Sequence, residues 1–197
     1  MRMCVFRKNV KNNLDIEKSL RVLNDGGVIL YPTDTVWGIG CDATDSAAVE
    51  RIYAIKRRNE TRSMLTLVDS LEMLADYVDD IPDIAVHLMK EATKPLSVIY
   101  PKAKKLAANL IPADGSIGIR IVQEPFCRQI IKALGRPVVS TSANISGEPT
   151  PSIFDEISGE IRDAVDYIVR WRQDDRQPAT ASSIIRLNED GSFQVLR

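Results

Sequence analysis

Gly26-Gly27-Val28-Ile29-Leu30-Tyr31-Pro32-Thr33-Asp34-Thr35 sets the class of the fold. Two glycines stop a preceding helix, four apolar residues run without a charge, and proline ends them. Upstream, Ile16, Leu20 and Leu23 share one face of a helix expected over 14–23, with Asp15 as its cap. Helix, short apolar strand and polar bend then recur along the chain. Further helices are expected over 46–57, after Ser70, around His87, over 124–134 with Gly135 as the stop, and over 152–166 with a break at Gly159. Strands are expected at 64–68, 96–100, 117–121, 137–140, 167–169, 183–187 and 193–196. The class is therefore α/β: a mixed, twisted, open sheet flanked by helices, with a closing hairpin at 188–191. No repeat or low-complexity linker interrupts it, so one domain is expected over 1–197. The least patterned stretch, 173–181, reads as a mobile flap.

Composition excludes several classes. The chain has 197 residues and balances 26 basic against 27 acidic side chains, for a net charge of -1. A strongly basic protein that coats nucleic acid is ruled out, while a local basic pocket is not. Cys4, Cys41 and Cys127 are odd in number and form no CxxC pattern. Neither a disulfide framework nor a thiolate zinc site is expected, and a cytoplasmic location follows. No apolar run reaches the ~20 residues that span a bilayer. The opening Met1-Arg2-Met3-Cys4-Val5-Phe6-Arg7-Lys8 meets charge too early for a secretory leader. His87 is the only histidine, so any His-dependent triad must use it, and a two-histidine metal motif is excluded. Its setting, Pro82-Asp83-Ile84-Ala85-Val86-His87, reads as the first turns of a helix with a partly exposed histidine.

Five stretches carry chemistry. At Tyr31-Pro32-Thr33-Asp34-Thr35, followed by Gly38 and Gly40, a buried strand releases two hydroxyls and a carboxylate at its C-terminal end. That is where α/β sheets bind ligands, although an Asp/Thr-stabilised turn has the same composition. Lys56, Arg58 and Arg62 read either as an oligophosphate clamp or as cations that favour a helix C-terminus. Val49, Ile52, Tyr53 and Lys56 share a helix face, which points Lys56 inward. In Ser140-Thr141-Ser142-Ala143-Asn144-Ile145-Ser146-Gly147 four hydroxyls, an amide and a glycine follow a strand. Such a loop offers donors to an anion, whereas a helix cap needs one hydroxyl. Ser116, Gly118 and Arg120 share one face of a strand, which suits a carboxylate or phosphate near the backbone or a surface ion pair. Ser182 and Ser183 open the strand that follows 173–181.

In this order the five stretches resemble the YrdC/YciO family of threonylcarbamoyl-AMP synthases in tRNA modification. Lys56-x-Arg58 is similar to its KxR pair, Ser116-Ile117-Gly118-Ile119-Arg120 to its T-[VI]-G-[VI]-R strand, and residues 140–147 to its STSANxSG loop. The likeness runs over about 14–197. Two segments depart from it. Ser63-Met64-Leu65-Thr66-Leu67 stands where the family has Pro-Leu-x-x-His, and Ala92-Thr93-Lys94-Pro95-Leu96-Ser97 where it has Trp-Pro-Gly-Pro-[LV]-Thr. Both lean toward the YciO side.

The resemblance implies an open α/β sheet around a concave, positively charged cavity. It implies a nucleotidyltransferase that joins L-threonine, bicarbonate and ATP into threonylcarbamoyl-AMP and pyrophosphate. By motif position Thr35, Arg120, Ser140 and Ser182 would hold threonine. Arg58, Arg62, Ser116, Ser142, Thr150 and Arg197 would contact ATP, and Lys56, Arg58, Ser142 and Asn144 would form the catalytic set. Magnesium would arrive with the ATP, no resident metal is implied, and a downstream tRNA threonylcarbamoyl transferase would take the product. The alternative is a YciO-like protein that binds double-stranded RNA or tRNA without this activity.

Overall fold

Local signals place most helix ends. The computed structural model describes residues 2–58, 63–179, 181–188 and 190–197, with side chains from residue 13. The helices are α1 (Arg2–Asn24), α2 (Ser46–Ile55), α3 (Leu71–Tyr77), α4 (Asp83–Glu91), α5 (Pro125–Leu134) and α6 (Gly159–Ala164). Asp45 and Ser70 cap α2 and α3 by accepting backbone N–H bonds, and Glu124 does the same for α5. Gly135 ends α5 in the left-handed region at φ 69°, where a side chain would strain the backbone. One expectation is corrected here. The first helix reaches back to Arg2, so Asp15 lies inside it and caps nothing. Its buried carboxylate instead accepts bonds from the Tyr167 hydroxyl (2.6 Å) and the N–H groups of Arg170 (3.1 Å) and Trp171 (2.8 Å).

The strands are β1 (Ile29–Tyr31), β2 (Gly38–Gly40), β3 (Leu65–Val68), β4 (Leu96–Tyr100), β5 (Ile117–Ile121), β6 (Val138–Ser142), β7 (Tyr167–Ile168), β8 (Ser183–Leu187) and β9 (Phe193–Val195). Among the described residues they form one nine-stranded sheet in the order β7-β1-β2-β6-β3-β5-β4-β8-β9. The pairs β1–β7, β3–β5 and β4–β8 are parallel and the others antiparallel, so the sheet is mixed and open. Two features escape the sequence patterns. Gly38-Ile39-Gly40 is a strand although it carries one side chain, and β6 runs two residues further than expected, into the hydroxyl loop.

The two faces are covered unequally, and this positions the site. One face buries Leu30, Ile39, Val68, Val98, Ile119 and Val139 in a large core with Ile52 and Tyr53 of α2, Leu74 of α3 and Ala85 of α4. On the other face α1 and α5 cover Ile29, Tyr31, Leu67 and Val138 through Leu23, Phe126, Ile130 and Leu134. Register puts Gly38 opposite Ser142, Leu65 opposite Ser140, Leu67 opposite Arg120 and Ser97 opposite Ile184. With period two, Ser140, Ser142, Gly118, Arg120, Ser97 and Ile184 therefore share the face of α1 and α5, beyond the area those helices cover.

Candidate functional site

That uncovered patch is a cleft. A cavity of about 320 Å³ is lined by Thr35, Arg58, Arg120, Ser140, Ser142, Thr150, Ser182 and Arg197, with Gly38, Ser63, Met64, Leu65, Ser97, Thr141 and Ile184 between them. A second cavity of about 330 Å³ shares Ser63, Met64, Leu65, Ser97 and Ile184 with the first and adds Ser116, Asp114 and Arg186. Eight of the expected residues thus meet in one hollow, and Ser116 opens on its extension. Three do not line either. Lys56 lies beneath, Asn144 lies in the adjoining loop, and Arg62 falls outside the described residues.

One end of the cleft is built for a small anion with hydrogen-bonding groups. Arg120 sits on β5 with a side chain only 3% exposed, and its Nη2 lies 3.0 Å from Asp34 Oδ1. The same Nη2 donates to Thr35 Oγ1 at 3.3 Å, and its Nε has no protein partner. Asp34 in turn accepts the Gln123 N–H at 3.1 Å. A buried guanidinium with an unmet donor has the chemistry to take an acceptor such as a carboxylate.

Proton counting fixes the polarity of Thr35. Thr33 Oγ1 donates its one proton to the Val36 carbonyl at 2.8 Å and accepts the Thr35 N–H at 3.0 Å. In the 3.0 Å contact between the two hydroxyls, Thr35 is therefore the donor. With Arg120 donating to it as well, Thr35 Oγ1 keeps one lone pair, which suits a ligand N–H or O–H. Across the cleft the buried hydroxyls of Ser182 and Ser97 bond each other at 2.9 Å.

The other end carries cations and the hydroxyl loop. Arg58 donates to the Ser63 carbonyl at 2.8 Å. Arg197 donates its Nε–H to the Ser182 carbonyl at 2.9 Å, which ties the C-terminal residue to the cleft wall. Lys56 follows α2 inward as the helical face predicts and is 1% exposed. Its ammonium donates to the Ser142 and Asn144 carbonyls at 2.5 and 2.6 Å, and its own carbonyl accepts the Ser146 N–H at 2.9 Å. Lys56 thus pins the loop that carries Ser142; it does not itself face the cleft as the expected clamp would. Burial, followed by the charge of Arg58, lowers its pKa from 10.5 to about 8. Asn144 donates to the Ile145 and Glu148 carbonyls and leaves its buried Oδ1 unpartnered.

Five participants were not singled out from the sequence. Asp34 reads in the sequence only as part of its turn, though it neutralises Arg120. Ser97 alternates with the apolar Leu96 and Val98, a period-two signal that marks it as facing elsewhere. Met64, Leu65 and Ile184 supply apolar wall, which no motif announces. Within 173–179, Gln173 donates to the Val169 carbonyl at 2.9 Å and Arg176 pairs with Asp155. His87 is exposed on α4 and lines neither cavity. Among the described residues no three of His, Cys, Asp or Glu stand together as metal ligands, and no helix is long and apolar enough to cross a membrane.

Comparison with known proteins agrees with this architecture. The Sua5/YciO/YrdC family model, described as telomere recombination, matches residues 21–197. A threonylcarbamoyl-AMP synthase of Pseudoalteromonas translucida is 33% identical over 157 residues, which is 78% of this chain and 84% of that protein. One from Xanthomonas euvesicatoria pv. vesicatoria is 30% identical over 189 residues, 94% of this chain and 98% of the other. Among solved structures, P. abyssi Sua5 complexed with L-threonine superposes with a TM-score of 0.81 at 26% identity. The match covers 92% of this chain and 53% of that one, so this chain spans about half of that Sua5. E. coli YciO superposes with a TM-score of 0.79 at 27% identity, over 96% of this chain and 89% of YciO.

Proposed function

The chain belongs to the Sua5/YciO/YrdC family, and from this we propose that it is a threonylcarbamoyl-AMP synthase. It would join L-threonine, bicarbonate and ATP and release pyrophosphate. One observation carries the reading: a buried, ion-paired arginine and acceptor hydroxyls share a single cleft with Arg58 and the hydroxyl loop. Such a cleft holds an amino acid at one end and a nucleotide at the other.

In this reading the threonine carboxylate sits on Arg120, whose charge Asp34 offsets. Thr35 accepts a hydrogen bond from the amino acid, and Ser140 and Ser182 complete its pocket. Arg58, Ser142, Thr150 and Arg197 face the phosphates and ribose, with Ser116 in the adjoining cavity and Arg62 on the segment that follows Arg58. The threonine amine adds to bicarbonate with loss of water, giving a carbamate. A carbamate oxygen then attacks the α-phosphorus, and pyrophosphate leaves.

No side-chain nucleophile is required. The protein contributes alignment and cations facing the charge that develops on phosphate. Lys56 and Asn144 act through the loop, by holding Ser142 in place. Magnesium would come with ATP as part of the substrate. The product is a labile mixed anhydride, so a tRNA threonylcarbamoyl transferase must collect it. The experiment is pyrophosphate release from ATP by purified protein. Release that depends on both threonine and bicarbonate is expected, and its absence overturns the reading. Salt-dependent tRNA binding without release would favour the RNA-binding alternative.

A further inference from the structure

We propose that Arg172, which does not line the cleft, is a positioning residue for its amino-acid end; this rests on the synthase reading. The loop that carries Asp34 and Thr35 is held by its carbonyl groups. Pro32 O accepts from the Cys127 thiol at 3.1 Å, and Val36 O from Thr33 Oγ1 at 2.8 Å. Thr33 O accepts from Arg172 Nη1 at 3.0 Å. Cys127 lies on α5 and Thr33 within the loop itself, so Arg172 is the one of the three donors that comes from the segment after β7.

Each of its three guanidinium nitrogens has a partner. Nε and Nη2 grip the Asp175 carboxylate at 3.2 and 3.0 Å, which aims the remaining Nη1 at Thr33. The backbone supports the same aim. Arg172 has φ 63°, a left-handed conformation that L side chains rarely adopt and that persists only where the surroundings impose it. Those surroundings are on both sides. Asp15 of α1 takes the N–H groups of Arg170 and Trp171, and the Trp171 indole donates to the buried Glu124 at the start of α5 at 3.1 Å.

The consequence reaches the ligand by a short route. The Thr33 carbonyl and the Asp34 N–H belong to one peptide plane. Fixing that plane fixes where the Asp34 carboxylate starts, and Asp34 is what holds Arg120. One guanidinium therefore sets where Asp34 and Thr35 stand at the amino-acid end of the cleft.

The test is binding of L-threonine and of ATP, each titrated calorimetrically into wild type, Arg172→Ala, Arg172→Lys and Arg51→Ala. Arg51 pairs with Asp166 at 2.9 Å and lines neither cavity, so its variant reports general destabilisation. Arg172→Ala is expected to weaken threonine at least tenfold and ATP less than threefold. Arg172→Lys recovers part of the loss, because one ammonium reaches either Thr33 or Asp175 but does not bridge both. Amide hydrogen exchange at Thr35 and Val36 rises in Arg172→Ala and stays at the wild-type rate in Arg51→Ala. A wild type that binds threonine while Arg172→Ala binds it equally, or an equal loss in Arg51→Ala, overturns the assignment alone. A wild type that binds neither ligand overturns the synthase reading, and the assignment with it.

Discussion

Two buried cations with different partners show what a single residue does here. Arg120 is held by a carboxylate and Lys56 by two carbonyls, and the buried Nε of Arg120 keeps a donor for a ligand. Arg120→Lys keeps the charge and loses the fork, and threonine affinity should fall about a hundredfold, roughly 3 kcal/mol. Calorimetric titration checks it, and the lysine keeps Asp34 from being buried without a partner. Lys56 gives a pH signature. Its pKa of about 8 lies below the usual 10.5. Below about pH 8 both folded and unfolded chains are charged there, and the burial penalty is present in full. Between about 8 and 10.5 the folded chain releases the proton first, so this group's contribution to stability improves as pH rises. Urea unfolding of wild type and Lys56→Met at pH 7 and pH 10 should show the difference moving in favour of wild type. Lys56's inward facing was legible in the spacing of Val49, Ile52 and Tyr53. Its partners were not, because they are carbonyls of a loop 86 and 88 residues away in sequence.

At the scale of the element, β2 decides how the site forms. A Cβ on Gly40 would lie 2.4 Å from the Val139 carbonyl and 2.6 Å from the Tyr31 ring, contacts that neither backbone nor buried ring can relieve. A Cβ on Gly38 would meet Ser140 Oγ at 3.3 Å on the cleft side. Gly40→Ala should therefore cost about 3 kcal/mol of folding stability by overpacking, read from the urea midpoint. Gly38→Ala should cost less than half of that and weaken threonine binding instead. The sequence does not show this strand, since Gly38-Ile39-Gly40 has one side chain with which to show alternation. By contrast Ile117-Gly118-Ile119-Arg120-Ile121 displayed both its strand and its two faces. Hydrophobic period works where side chains exist to carry it.

Over the whole molecule, ligand and fold stabilise each other across strands far apart in sequence. Threonine touches residues on or beside β1, β5, β6 and β8 in the proposed reading, so it adds contacts between parts far apart in sequence. At a hundred times its dissociation constant, threonine should add about 2.7 kcal/mol. For a chain of this size each kcal/mol raises Tm by about 2–4 °C, so a rise of roughly 5–11 °C is expected in a thermal scan. Serine, without the methyl group, should give a smaller rise at the same concentration.

The sequence alone determined the α/β class, most strand and helix positions, and the residues that carry hydroxyls and cations, because each of these is written in short-range spacing. Packing across the chain places β6 between β2 and β3, leaves part of one sheet face uncovered by α1 and α5, and brings Asp34, Ser97 and Arg172 to the site. Strand order and helix coverage depend on how faces are buried against partners far along the chain. A residue's period tells which way it points and not what it meets.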